Sequence, residues 1–260
     1  MIHAQKVLSD LRIALYADAA TIEQIEQLAR LPHIAGFTTN PTLMRKAGVV
    51  DYREFAMGVL ESAEGRPVSF EVLADDAPAI ERQARAIGTW GSNVYAKVPI
   101  TTSDGKPLTD TVGRLSRDGV KVNVTAVFTT TQVEQVVAAL AGGAPSVVSV
   151  FAGRIADTGR DPIPLMAKAR DLCHSNAATQ LLWASPREIL NVIQADLVGC
   201  DIITVLPDLL AKLGTLGKDL DEFSRETVQM FVDDARAAAY TIAIQDRSGP
   251  LESTSGVSHA

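Results

Sequence analysis

Aromatic side chains are scarce in this 260-residue chain: two tryptophans, four tyrosines and seven phenylalanines. Its hydrophobic fraction of 47% is therefore mainly Ala, Val, Leu and Ile, the mix of buried parallel strands covered by helices. Cysteine is nearly absent. Cys173 and Cys200 lie in helix-like context without metal-ligand spacing, and read as reduced core thiols of a cytoplasmic protein. Lys and Arg form no cluster and the net charge is -7 at pH 7, which argues against a nucleic-acid partner. No apolar run reaches membrane-spanning length, and the first residues lack a signal peptide's basic start and apolar core. The expected setting is cytoplasmic, with no membrane partner. No Gly-rich dinucleotide fingerprint follows the first strand candidate. No repeat, linker or composition shift divides the chain. One domain over residues 1–247 is expected, and 248–260, rich in Ser and Gly, reads as a disordered tail.

What the chain does contain is a regular alternation of short apolar runs and helical segments. Strand candidates run over Ile13–Asp18, Ile34–Thr38, Val68–Val72, Val94–Val98, Val120–Thr125, Ser146–Phe151, Gln180–Ala184 and Asp201–Val205. Helical patterns separate them. Thr21 caps one over Ile22–Ala29, and Pro41 opens a short one. Others span Tyr52–Glu64, Ala77–Ile87, Leu108–Asp118, Gln132–Leu140 behind Thr130, and Pro164–Ser175. Ser185-Pro186-Arg187 reads as the start of another, and Pro207 starts one to Leu213. Leu220–Ile244 is a long amphipathic helix with Leu220, Phe223, Val228, Phe231 and Val232 at helical spacing. About eight strands alternating with helices over about 200 residues predict an α/β fold, a single (β/α)8 TIM-type barrel with an extra C-terminal helix. An open doubly wound sheet is the alternative, weakened by the missing fingerprint.

The run Asn93 to Thr101 carries Lys97 near the end of an apolar strand that Pro99 stops. Burying an ammonium is costly, and desolvation favours the neutral amine. A neutral amine there could attack a carbonyl and form a Schiff base. The plainer reading is a lysine that caps the strand and reaches for water.

Active sites of such barrels lie at the C-terminal strand ends. The polar residues at those ends are Asp18, Asn40, Glu71, Lys97, Asn123, Thr125, Ser149, Arg154, Ser185 and Arg187. Asn123 and Thr125 share a strand face. Any one of these could be an ordinary turn or cap residue. Together they supply three kinds of chemistry. Lys97 is an amine, Asp18 and Glu71 are a carboxylate pair, and Arg154, Ser185 and Arg187 make an anion site at a helix start.

These residues sit in stretches that resemble the transaldolase family, including its small-subunit and fructose-6-phosphate aldolase branch. The carriers, from about Leu15 to Leu213, are Tyr16-Ala17-Asp18, Phe37-Thr38-Thr39-Asn40-Pro41-Thr42-Leu43, Glu71-Val72, Lys97-Val98-Pro99, Asn123-Val124-Thr125, Phe151-Ala152-Gly153-Arg154, Ala184-Ser185-Pro186-Arg187 and Gly199-Cys200-Asp201. The Thr-Thr-Asn-Pro and Lys-Val-Pro pieces are the most specific. The resemblance implies a barrel that moves a dihydroxyacetone unit between sugar phosphates, without metal or cofactor. It makes Lys97 the Schiff-base lysine and Asp18 the acid/base at the donor's C4 hydroxyl. Glu71 and Thr125 resemble the pair that positions a catalytic water. Asn40, Asn123 and Ser149 resemble groups on the dihydroxyacetone hydroxyls, and Arg154, Ser185 and Arg187 the phosphate site. Thr38 and Phe151 complete the substrate-contact set.

The aldolase branch tends to carry glutamine at the Glu71 position and tyrosine at the Phe151 position. Glutamate and phenylalanine here favour transfer over release of free dihydroxyacetone, since phenylalanine has no hydroxyl to hold a water. A class I aldolase and a sugar-phosphate-binding barrel without turnover are the alternatives. Ala19, Phe70, Tyr95 and Val150 depart from the family pattern, and are expected to reshape the pocket. In the small-subunit branch the last helix crosses to a neighbouring subunit, and paired rings make decamers. A homo-oligomer is expected.

Overall fold

The computed structural model describes residues 7–242. The chain divides at Gly217/Lys218 into two compact units. The tail expected at 248–260 lies outside the described residues.

The first unit is a closed barrel of eight parallel strands in sequence order. They are β1 (Ala14–Asp18), β2 (Ile34–Thr38), β3 (Val68–Glu71), β4 (Val94–Pro99), β5 (Val122–Val127), β6 (Ser146–Val150), β7 (Thr179–Trp183) and β8 (Ile202–Val205). Around them run α1 (Ile22–Ala29), α2 (Pro41–Lys46), α3 (Tyr52–Ser62), α4 (Ala77–Gly88), α5 (Thr109–Arg117), α6 (Thr130–Leu140), α7 (Ala152–Asp157), α8 (Ile163–His174), α9 (Leu190–Val198) and α10 (Pro207–Leu210). The TIM-type architecture is that expected.

Local chemistry sets the helix starts. Thr21 accepts the Gln24 amide at α1, and Asp51 and Asp76 play the same part for α3 and α4. The cap of α6 is Thr129 rather than Thr130, because Gln132 returns a bond to the Thr129 amide and closes a capping box. Three other expectations need correction. A short helix, α7, follows Phe151, where the sequence pattern predicts none. The helix expected from Pro186 begins only at Leu190. The Pro207 helix ends after one turn and continues as a 3₁₀ helix over Ala211–Thr215.

Alternation along each strand gives two apolar layers. Between strands and helices, Ile25, Phe37, Phe70, Ile80, Leu115, Leu140 and Trp183 are fully buried, each contributing about 1.5–3 kcal/mol. Inside the barrel, Tyr16, Val147, Leu182 and Ile202 fill the lower part. Gly36 makes room for them, since a Cβ there would lie 2.5 Å from the Tyr16 ring. Cys173 and Cys200 are buried free thiols, and burial pushes each up to about 12.

The second unit contains α11 (Leu220–Ala237), which Asp219 caps by accepting the Glu222 amide. It stops short of Ile244: Ala238 caps it and Ala239 takes a positive φ of 52°. Residues 243 and 244 lie outside the described ones. Leu220, Phe223, Val228, Phe231 and Val232 are exposed.

Candidate active site

The ladder brings the strand-end residues together. Glu71 pairs with Lys97 across β3 and β4, and Lys97 with Asn123 across β4 and β5. Asp18 pairs with Thr38 across β1 and β2. These ends open into a cavity of about 380 Å³. Asp18, Thr38, Asn40, Glu71, Lys97, Thr125, Ser149, Phe151, Arg154, Ser185 and Arg187 all line it. Asn123 is not in the lining; its amide lies behind, donating to Ser69 Oγ at 3.0 Å and accepting from Ser149 Oγ at 2.6 Å. Ser149 thus reaches the cavity with Asn123 holding it.

Lys97 is only 8% exposed. Its Nζ lies 3.0 Å from Glu71 Oε2 and donates to the Thr39 carbonyl at 3.2 Å. The strand pattern alone places the amine among apolar residues; the structure sets a carboxylate beside it.

Asp18 is held from both sides. Thr38 Oγ1 donates to Oδ1 at 3.0 Å and Asn40 Nδ2 to Oδ2 at 3.0 Å. Asn40 cannot turn over, because its Oδ1 caps α2 by accepting the Leu43 amide at 2.9 Å. Burial raises the Asp18 carboxyl above its ordinary range, against the opposing pull of Lys97 and these two hydrogen bonds. Glu71 pushes it further up. Burial therefore makes Asp18 a stronger base than an ordinary aspartate, a property suited to exchanging a proton with a hydroxyl.

Thr125 follows Asn123 on the inward face. Its Oγ1 is buried and has no hydrogen-bond partner among the described residues. The backbone turns immediately afterwards, with Ala126 at φ 59° and a register shift between Val124 and Val127. Such a bulge re-aims side chains at a barrel rim.

The corner where an anion site is expected, around Arg154, Ser185 and Arg187, has a different frame from the one the sequence pattern predicts. Ser185, Pro186 and Arg187 lie in a loop, not in a first helical turn, and Asn191 Oδ1 accepts the Arg187 amide at 2.7 Å and the Glu188 amide at 3.2 Å. Ser185 adopts a positive φ of 56°, a conformation that costs a non-glycine residue about 1–2 kcal/mol. Gly153 permits it: a Cβ there would come within 1.6 Å of the Ser185 carbonyl. Arg187 is clamped by Asp157, Nε to Oδ1 at 3.1 Å and Nη2 to Oδ2 at 2.5 Å. Arg154 lies over the Phe151 ring, 5.0 Å from its centre, and Phe128 backs that ring at 5.5 Å.

Sequence reasoning missed Thr39, Asp157 and Thr204. Thr39 contributes a carbonyl, which no side-chain pattern reveals. Asp157 sits on α7, a helix with no signal in the sequence pattern. Thr204 lies on β8, which contributes no residue to the set of polar strand ends read from the sequence, and its Oγ1 is 2.6 Å from Thr38 Oγ1. Of the departures from the family pattern, none lines the cavity. Phe70 turns outward to meet Tyr52 and Trp90 edge-to-face, and Val150 is in the outer core. Tyr95 packs with the lower interior layer, and Ala19 belongs to the outer core cluster. The expected reshaping of the pocket by these residues does not occur by direct contact.

The family model described as Transaldolase/Fructose-6-phosphate aldolase matches residues 15–243. A "Probable transaldolase" of Roseiflexus castenholzii is 35% identical over 191 residues, covering 73% of this chain and 84% of the relative. One from Methanococcus maripaludis is 35% identical over 199 residues, covering 76% and 88%. One from Carboxydothermus hydrogenoformans is 37% identical over 192 residues, covering 74% and 85%. Among solved structures, 2,3-dimethylmalate lyase superposes with a TM-score of 0.53 at 11% identity, covering 96% of this chain and 93% of that one. At that identity the likeness concerns the fold alone.

Proposed function

The chain belongs to the transaldolase/fructose-6-phosphate aldolase family, and from that membership we propose that it transfers a dihydroxyacetone unit from a ketose phosphate to an aldose phosphate through a Schiff base on Lys97. The observation that supports this most is a buried lysine, Nζ 3.0 Å from Glu71, facing the same cavity as Asp18.

The steps follow from the side chains. Glu71 takes a proton from Nζ, and the neutral amine adds to the ketone carbon. Loss of water from the carbinolamine needs a proton on the departing hydroxyl, which Glu71 returns through a water held against Thr125 Oγ1. The iminium then draws electrons from the bond between C3 and C4. Asp18 accepts the C4 hydroxyl proton as that bond breaks, and the aldose phosphate leaves. The enamine that remains attacks the acceptor aldehyde, Asp18 gives the proton back, and hydrolysis frees Lys97. The electron sink is organic, so the reaction calls on no metal.

Ser149, with Asn123 behind it, and Asn40 suit the dihydroxyacetone hydroxyls. Arg154 and Arg187, with the Ser185 hydroxyl, suit the phosphate. Glu71 and Phe151 favour transfer over hydrolytic release. The face of Phe151 is covered by Arg154 and offers no hydroxyl to steer a water at the enamine. The exposed apolar residues of α11 support a homo-oligomer. A cytoplasmic site of action belongs to the same reading.

Borohydride reduction in the presence of fructose 6-phosphate, read by intact mass, tests the chemistry. Product analysis with and without erythrose 4-phosphate separates transfer from aldol cleavage.

A further inference from the structure

The acid/base assigned to Asp18 must serve in two states, and its hydrogen-bond partners differ in what they can do in each. Asn40 Nδ2 only donates, and its orientation is fixed by the α2 cap. Thr38 carries a hydroxyl that can donate or accept, and behind it stands a second hydroxyl on Thr204, 2.6 Å away and 9% exposed. The charged groups facing Asp18 are Lys97 on β4 and Glu71 on β3.

Consider the ionised carboxylate. It accepts only, so the single Thr38 proton points at Oδ1, and Thr204 must donate to Thr38. Now place a proton on Oδ1. Thr38 becomes the acceptor, its own hydrogen turns to Thr204 Oγ1, and the Thr204 hydrogen swings into the cavity that Thr204 lines. No proton leaves Asp18 by this route; the two hydroxyls only reverse direction. We propose that Thr204 is a positioning residue whose hydroxyl, working through Thr38, keeps Asp18 hydrogen-bonded in both its base and its acid form.

This rests on the functional reading above and adds a residue to it. A valine has nearly the shape of threonine but can neither donate nor accept. In the base form the loss removes only a donor to Thr38, whose own proton still reaches Asp18. In the acid form it leaves the Thr38 hydroxyl proton buried without an acceptor, which is the costlier defect. The acid form is therefore weakened more, and the protonation of Asp18 moves to lower pH.

The test is the pH dependence of kcat/KM for transfer from fructose 6-phosphate to erythrose 4-phosphate, in wild type, Thr204→Val and Thr204→Ser. The expected result for Thr204→Val is a kcat lowered about tenfold, with the limb belonging to Asp18 moved down by about 0.5–1 pH unit. The KM for the donor and the yield of borohydride adduct should change little. Thr204→Ser should return the wild-type limb. A wild-type profile in Thr204→Val, or a serine variant as impaired as the valine one, would overturn the proposal. If Thr204→Val does not fold, Thr204→Cys applies the same test, because a thiol is a poorer donor and acceptor; an unmoved limb there would overturn it too. A wild-type protein that forms no adduct would overturn the functional reading, and this inference with it.

Discussion

Lys97 Nζ and Glu71 Oε2 lie 3.0 Å apart, on one rung of the β3–β4 ladder. The pairing follows from strand register, and in the proposed mechanism the carboxylate is the group that takes the amine's proton. Replacing Glu71 by Gln keeps a polar group there but removes its basicity. Initial transfer rates should fall at least tenfold, while the ratio of free dihydroxyacetone to transfer product should rise, most of all with Phe151→Tyr added. Unchanged partitioning in the double variant would show that these positions do not separate the two reactions.

Arg187 offers a fork that Asp157 holds in place. Arg187→Ala should raise KM about 10–100-fold for phosphorylated ketoses, the loss expected for charge-assisted bonds. Use of unphosphorylated dihydroxyacetone should change little. Equal losses on both would remove the phosphate from this corner of the cavity.

Gly153 lies against the strained Ser185 loop. Gly153→Ala has no room for its methyl group, which would meet the Ser185 carbonyl at 1.6 Å. We expect about 2–3 kcal/mol of lost stability by urea unfolding, with weaker phosphate binding. Wild-type stability would mean that the loop moves away freely.

Asp18 makes a pH-dependent contribution of known sign. Its carboxyl is raised above the ordinary 3.8 by burial. The folded protein therefore holds this proton more tightly than the unfolded chain. Relative to Asp18→Asn, wild type should lose stability as pH rises from about 4 through the raised value, and the difference should then level off. Urea midpoints across that range measure it. A wild type that gains on the variant with rising pH would reverse the assignment.

The barrel is legible in the sequence because its strands are short, aliphatic and spaced by capped helices. Inward polar residues such as Asn123 and Thr125 can be read two apart on one strand. The site is not legible where backbone carries it. Thr39 acts through a carbonyl, and Ser185–Arg187 form a loop because Asn191, four residues on, satisfies the amides that a helix start would leave open. The Pro at 186 gives a helix signal that this side chain overrides. Lys97 is placed correctly by its strand, but its ion pair depends on the β3–β4 register, which a single strand cannot reveal. Thr204 escapes because a threonine inside an Ile-Ile-Thr-Val run looks like ordinary strand composition.

The central claim is covalent chemistry at one amine, and borohydride trapping tests it most directly. Wild type incubated with fructose 6-phosphate and reduced should gain the mass of the donor or its dihydroxyacetone fragment, on the peptide containing Lys97. Lys97→Met should remain folded and gain nothing. A wild type that stays unmodified with every ketose phosphate tried, or an adduct that persists in Lys97→Met, would contradict the account.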